Sequence, residues 1–521
     1  MANLKVSQEV DLGLAGIDGS VEYRVIKGSN TYKQSYADLF TYIDTNYITL
    51  QNVLDNNHSL VNDIALIGTG AGAGSLGTQT TFIGNNAGNS NGGNEVIGIG
   101  TSASGGNQGS YVVGLGYWAT KTNQSNHVIG IGYAAANLNT GDNVIALGQN
   151  AAGNNTGNQT IAIGQNAAAS NSGLFAIGIG YEAISGNTNN QAIGIGYNAL
   201  KNNTGAAPYA MGYEAGINNQ GSQSVMIGNY AAKNNRGNYV NGIGYSAAEQ
   251  SSILNTNGNN VNAFGQQAAY NNQNDNVNAF GTQSAQYNTG LNINAIGTLA
   301  ASGNTGDYVD AIGYTAANNN TGDYVNAIGF EAGYGNIGND TIFLGQKAGY
   351  TNQGSNCFFV GLNAGYNTLS FLPNTGNNVI GIGNESAGGN TNGDVIAIGD
   401  FAGRSNTGST VIGIGYQAAD ANTGTSNVIG IGRRALQENG GQNVIGIGFR
   451  AGLGNVGNDV VALGSSANNG SSNAFILSNA VLQQFADKTT ADAFYAAETL
   501  ALNCTYLYYD QSDSTIKGYR T

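Results

Sequence analysis

The sequence predicts an all-β fold, a parallel β-roll or solenoid of about 25 sixteen-residue coils, on three observations. First, one glycine recurs every 16 residues, from Gly68 to Gly244, from Gly265 to Gly361, from Gly383 to Gly415 and from Gly432 to Gly464. That makes 25 glycines and 24 steps over 396 residues, against 384 for unbroken steps; the remaining 12 are insertions of five, six and one residues. Second, the chemistry around the glycine repeats with it. The preceding residue is large and apolar in all 25 periods, and the residue three after is Ala in 23 of 25, with Ser284 and Ser386 as the exceptions. Third, a second glycine sits about nine residues on, usually in a Thr-Gly turn, so no packed helix fits inside the period.

The element order follows from local patterning. Residues 1–30 read as an attachment segment, in which Val21 to Ile26 forms a strand followed by a Lys-Gly turn. Residues 31–58 read as a short coiled-coil helix. Tyr36, Phe40, Ile43, Tyr47, Leu50 and Leu54 make a heptad seam, and Asn30 or Thr31 is placed to cap its start. Residues 59–470 are the repeat shaft. Within it, stretches such as Val144-Ile145-Ala146-Leu147-Gly148 alternate large and small side chains, as a strand with two unlike faces does. One face is a row of Ile; the other holds Gly, Ala and the preceding Val. Each period thus reads as strand, turn, short Ala-centred strand, turn. Residues 471–521 read as a small α+β cap, with a helix over Thr489 to Leu502 and a hairpin from Thr505–Tyr509 and Thr515–Arg520.

A coil this thin encloses little apolar volume, and its Ile row needs cover along the whole stack. Packing of identical chains side by side supplies that cover, and three parallel copies around an axis would bury the row.

Composition narrows the function classes. The chain has 83 Gly, 2 Pro and 9% charged residues, and the strict spacing sets it apart from a disordered low-complexity segment. A net charge of −14 argues against nucleic-acid phosphate and against an anionic membrane surface as partners. No 18-residue apolar run is present to span a bilayer as a helix, and Met1 to Lys5 do not open a signal peptide. Cys357 and Cys504 are expected to be buried free thiols.

Candidate sites are the departures from the repeat. Three residues before the glycine, where Ile or Val prevails, six consecutive coils carry Asn241, Asn262, Asn278, Asn294, Asp310 and Asn326. This polar ladder either lies on an axis between copies, where buried amides fix register, or faces solvent. Two insertions carry apolar side chains, Ile253 and Leu254 in one, Phe371 and Leu372 in the other; they are candidate binding loops or interchain contacts. Asp307 and Asp323 occupy equivalent turn positions and could pair as an acid and a base or as cation ligands, although turn carboxylates are commonly just solvated. Tyr follows the glycine at Tyr117, Tyr133, Tyr181, Tyr197, Tyr213, Tyr245, Tyr314 and Tyr416, which suits edge packing better than sugar binding. The Gly-Ile-Gly-Tyr motif lacks the βαβ context of a dinucleotide site, and His58 and His127 have no partner by spacing. No catalytic, cofactor or metal site is expected.

The Val-Ile-Ala-Ile-Gly-x-x-Ala…Thr-Gly-x-Asn unit resembles the head repeats of trimeric autotransporter adhesins, and similar repeats occur in bacteriophage fibres. The resemblance covers roughly residues 60–470, and this chain departs from the usual unit, which is about two residues shorter. It implies a left-handed roll and a homotrimer. With no export signal evident, it points to a structural fibre of a bacteriophage virion, on tail or head. Such a fibre would be made in the host cytoplasm and held to other virion proteins through its N-terminal region. It would act as a rigid spacer and adhesin toward a host surface glycan or protein. A bacterial cell-surface adhesin and a glycan depolymerase on a β-solenoid scaffold are the alternatives.

Overall fold

Each period contributes one short strand, and strands one period apart pair in parallel. A computed structural model describes residues 22–27, 30–35, 65–250, 258–467, 472, 475–477, 483–485, 505–510 and 515–520. They belong to two compact units, Met1–Ile163 and Gly164–Thr521. In the first, the ladder runs from Ala65–Ile67 to Ile161–Ile163; in the second, from Ile177–Ile179 to Phe475–Leu477. Both units are therefore parallel β-solenoids, and the described residues contain no α-helix. The register is one period per step, as in Val96 opposite Val112 and Ile97 opposite Val113. It survives the long insertions: Asn241 pairs with Asn262 and Phe358 with Ile380. Neither insertion shifts the pairing of the strands that flank it.

Alternation sorts the side chains as the pattern predicts. In Val96–Ile99 the Val and Gly are buried, while Ile97 and Ile99 point outward and stay 40% and 39% exposed. The recurring glycine has two reasons to be glycine. Gly132 has φ +134°, which side chains avoid, and a Cβ there would lie 2.6 Å from the carbonyl oxygen of Gly148 on the next coil.

The Ala-centred arm corrects one expectation: it is not a strand. Alternate residues take left-handed angles, with Trp118, Thr120 and Thr122 at φ 58°, 51° and 53°. The N–H groups of successive left-handed residues therefore point in opposite directions along the stack. Thr120 N donates to Ala135 O on the next coil at 2.8 Å, and Thr122 N to Gly105 O on the previous coil at 2.8 Å. Between them, Lys121 N closes a tight turn on Trp118 O at 3.1 Å. A left-handed angle disfavours an L-residue by roughly 1–2 kcal/mol, which bonds to both neighbouring coils offset. The arm's preference for Gly, Asn, Ser and Ala, small or αL-tolerant residues, follows from this conformation.

The core is thin and volume-matched. The residue two before the glycine meets the residue four after it inside the coil. Where the first is Gly178 or Gly194, the second is Ile184 or Leu200. Where the first is Phe82, Phe343 or Phe359, the second is Gly88, Gly349 or Gly365. Ala146 faces Ala152. A Cβ on Gly349 would come within 2.2 Å of the Phe343 ring, so that ring requires glycine opposite it.

At the N-terminal side, Glu22–Lys27 pairs antiparallel with Asn30–Ser35. Asn30 and Thr31 thus lie in a hairpin strand and do not open a helix. The seam from Tyr36 to Leu54 lies outside the described residues. At the other end, Thr505–Asp510 and Thr515–Arg520 form the expected antiparallel hairpin, with Gln483–Phe485 added in parallel. The helix expected over Thr489 to Leu502 lies outside the described residues.

The matched core yields a test. Phe343→Ala alone should cost about 3–5 kcal/mol through the cavity it leaves. Adding Gly349→Ala should restore a large part of that loss, because the Ala/Ala pairing already fills other coils, whereas Gly349→Ala alone should destabilise. Hydrogen-exchange protection of residues 325–365 measures all three.

Candidate interaction face

Within each unit the coils are tied together by a buried column that sequence reasoning missed. Seven residues after most of the glycines stands an asparagine with essentially no exposure, from Asn91 to Asn155 in the first unit and from Asn171 to Asn455 in the second; Ser251 follows Gly244 at that spacing, and in the coil with the second insertion Asn374 takes the place. Asn107 donates one Nδ2 hydrogen to Asn91 Oδ1 at 2.7 Å and the other to Gly109 O at 2.7 Å. Asn123 does the same to Asn107 Oδ1 at 2.8 Å and to Ser125 O at 2.7 Å. Asn320 repeats the pattern with Asn304 and Gly322. Along the run from Asn288 to Asn439 each amide spends both Nδ2 hydrogens and takes one donor from the coil after it, so the burial leaves no orphan. The signal was present as the Asn of each Asn-Thr-Gly turn, where it passes for ordinary turn chemistry.

On the outside, the positions three and one before the glycine form two aliphatic columns. Ile129 and Ile131 are 38% and 40% exposed in the first unit, and Ile312 and Ile328 are 39% and 43% exposed in the second. Near Ile412, Ile429 and Ile445 the first column floors a shallow groove edged by Thr410, Asn427 and Asn443.

The polar ladder interrupts this face. Asn241, Asn262, Asn278, Asn294, Asp310 and Asn326 stack in register, opposite one another on successive strands. They point outward and are half-buried or exposed within the chain. Nδ2 of Asn241, Asn262 and Asn278 donates to Oδ1 of the next asparagine at 2.8 Å each, and Asn294 donates to Asp310 Oδ1 at 2.6 Å. The carboxylate is a pure acceptor and ends the run. Two further outer rows end in the same way, with Asn378 donating to Asp394 at 3.0 Å and Asn443 to Asp459 at 2.8 Å. The outer rows donate toward higher residue numbers and the buried column toward lower ones.

Asp307 and Asp323 have structural occupations. Asp307 Oδ1 accepts Leu291 N at 2.7 Å, and Asp323 Oδ1 accepts Asp307 N at 2.8 Å. Asn94, Asn126 and Asn190 fill equivalent roles for Thr78, Ser110 and Leu174. The carboxylates thus occupy a capping position that an amide serves equally well.

Five of the eight tyrosines that follow the glycine stack on one another, while Tyr314 stacks on Phe330 and Tyr245 and Tyr416 meet Tyr230 and Phe401 edge-on. Tyr181 and Tyr197 have centroids 4.9 Å apart and lie 9° from parallel; Tyr197 and Tyr213 follow at 5.0 Å and 7°. Tyr117 and Tyr133 stack likewise at 5.3 Å. In these stacks neighbouring rings cover each other's faces, and a sugar ring needs an open face. His127 lies parallel to Tyr111 at 4.9 Å.

The second insertion is a built feature. Tyr366–Asn367 and Leu372–Pro373 pair antiparallel, and Leu369 and Phe371 at the tip are 77% and 75% exposed. Its base is anchored by buried polar groups. Asn367 Oδ1 accepts Leu369 N at 3.0 Å, Asn367 Nδ2 donates to Ser405 Oγ at 2.9 Å, and the Thr368 hydroxyl donates to Glu385. Glu385 pairs with Arg404, which grips Asp420 through two bonds at 3.1 and 3.2 Å. Ile253 and Leu254, in the first insertion, lie outside the described residues. Among the described residues, no group of three or more His, Cys, Asp or Glu is placed to hold a metal ion.

Comparison with known proteins gives no matching family model, no matching curated protein and no matching solved structure.

Two outcomes follow. Asn320→Ala removes the bonds it donates to Asn304 Oδ1 and Gly322 O and those its Oδ1 accepts from Asn336 Nδ2 and Gly322 N, so it should cost about 2–4 kcal/mol, read as lost exchange protection in the coils on either side. Cys357 is buried, and burial pushes its thiol up to about 11 from an ordinary 9.0. The folded chain should therefore leave Cys357 unmodified by a thiol reagent at pH 8 and release it on unfolding. Because the folded value is the higher one, the associated stability is complete below pH 9 and is lost as the pH rises toward 11.

Proposed function

We propose that this chain is a structural fibre protein, a rigid homotrimeric shaft of a bacteriophage virion that carries the particle's contact with its host. The observation behind this reading is the pair of outward aliphatic columns, present in both units and exposed coil after coil in a single chain. An apolar stripe of that extent needs cover, and a flat face with a fixed coil spacing is matched by another copy of itself. The left-handed roll and the threefold arrangement come from the resemblance to adhesin heads and phage fibres. Attachment to other virion proteins is assigned to the N-terminal region on the same ground.

A mechanical role accords with the rest of the molecule. Coil-to-coil bonds make a stiff spacer, and three equivalent faces let weak contacts add by avidity. The anchored hairpin with Leu369, Phe371 and Leu372 at its tip suits contact with a host-surface molecule. The backbone-capping bonds of Asp307 and Asp323 favour this role over that of a glycan depolymerase.

Sedimentation of the purified chain should give three times the 53.1 kDa chain mass. Ile296→Asp with Ile312→Asp, both on exposed positions, should leave the circular dichroism unchanged and shift the mass to that of one chain. A wild-type monomer would overturn the reading.

A further inference from the structure

We propose that the amide row sets the axial register between copies of this chain. The inference rests on the oligomer reading above and adds what aligns the copies. Three residues before the glycine, the second unit carries Ile193, Tyr209 and Val225 ahead of the row and Ile342, Phe358 and Ile380 beyond it. Any partner that covers the apolar stretches on both sides must also cross the amides between them.

A repeat with one spacing has a register problem. Shifting one copy by one coil sets Ile against Ile as before, so the aliphatic columns distinguish registers poorly. The amides distinguish them well. An amide facing a partner's amide can exchange hydrogen bonds, whereas an amide facing Ile is buried with polar groups unmet. Within one chain each central amide spends one Nδ2 hydrogen and receives one bond, as Asn262 does with Asn241 and Asn278. A second hydrogen and further acceptor capacity remain for a facing group. A parallel column deepens the patch: Asn260 donates to Asn276 at 3.1 Å and Asn276 to Asn292 at 2.8 Å. The occupant this pattern fits is a second copy, because only a chain with the same coil spacing meets the row step for step.

The test uses the full chain with Cys357→Ala and Cys504→Ser, into which Ile396→Cys or Ile412→Cys is introduced. These two positions are adjacent in the aliphatic column. The two forms are co-expressed and oxidised, and disulfide-linked peptides are identified by mass spectrometry. With the row intact, links should join 396 to 396, 412 to 412, and 396 to 412 only at background level. With N262I, N278I and N294I together, links between 396 and 412 should rise about tenfold. The substitutions install the residue that other coils carry, as at Ile145, so the coil is retained, and circular dichroism checks it. N278I alone should fall between the two.

If the triple variant still forms only in-register links, the amides do not set register and the oligomer reading stands. An oligomer of the expected mass that forms no links shows that copies meet elsewhere, and this inference falls alone. A monomer without links overturns both. Release of the register only when a peptide or glycan is removed from the purified protein would assign the row to that ligand and overturn the inference.

Discussion

The buried asparagine column is the interaction on which the rest of this fold depends. A 16-residue coil has too little interior to be held by apolar burial alone; most of what it encloses is Val, Ala and Gly. Backbone pairing along the short strand fixes only three or four residues per coil in most periods. The amide of Asn107 or Asn320 ties its own turn and the neighbouring coil with one side chain. Its donors are all used, so the column can be as dry as a core and still be polar. Because that corner is closed from within, the outer face is free to be apolar.

The two faces of the strand therefore answer to different demands. The inner positions obey volume: Phe343 requires Gly349, and Gly178 admits Ile184. The outer positions obey whatever lies against them. Ile dominates there, and where amides or aromatics replace it they form rows, because each residue meets its counterpart one coil away. Stacked Tyr197 and Tyr213, the Asn241 to Asp310 run and the capping Asp307 and Asp323 all express that rule. A row of like residues in this architecture is first a neighbour effect.

Much of this was legible in the sequence. Gly68 and its successors give the coil length, and the Val-Ile-Gly-Ile alternation places Ile outside and Val inside, as Val96 to Ile99 show. The hairpin at Thr505–Asp510 and Thr515–Arg520 was visible from its turn. Two things were not. The Ala-centred arm was read as a strand because small alternating residues suit a strand, yet the left-handed angles of Trp118, Thr120 and Thr122 are set by carbonyls on two other coils. The buried asparagine was hidden because Asn before Thr-Gly has a sufficient local explanation as a turn residue. Its burial depends on a partner 16 residues away. In both cases the deciding contact runs between coils, which a window of one period does not contain.

The opposed polarity of the amide rows bears on how the chain is assembled. In the buried column each asparagine donates to the coil made before it, as Asn123 does to Asn107. A ribosome delivers the coils in that order. Each new coil finds its acceptor already in place, and its own oxygen waits for the next. The side-chain bond that joins two coils of the interior forms once the later of the two is made. The outer rows run the other way: Asn278 must wait for Asn294, and Asn294 for Asp310. The run ends at a carboxylate, which has no hydrogen to pass on. Inner and outer rows therefore close together, each arriving coil adding one bond to both.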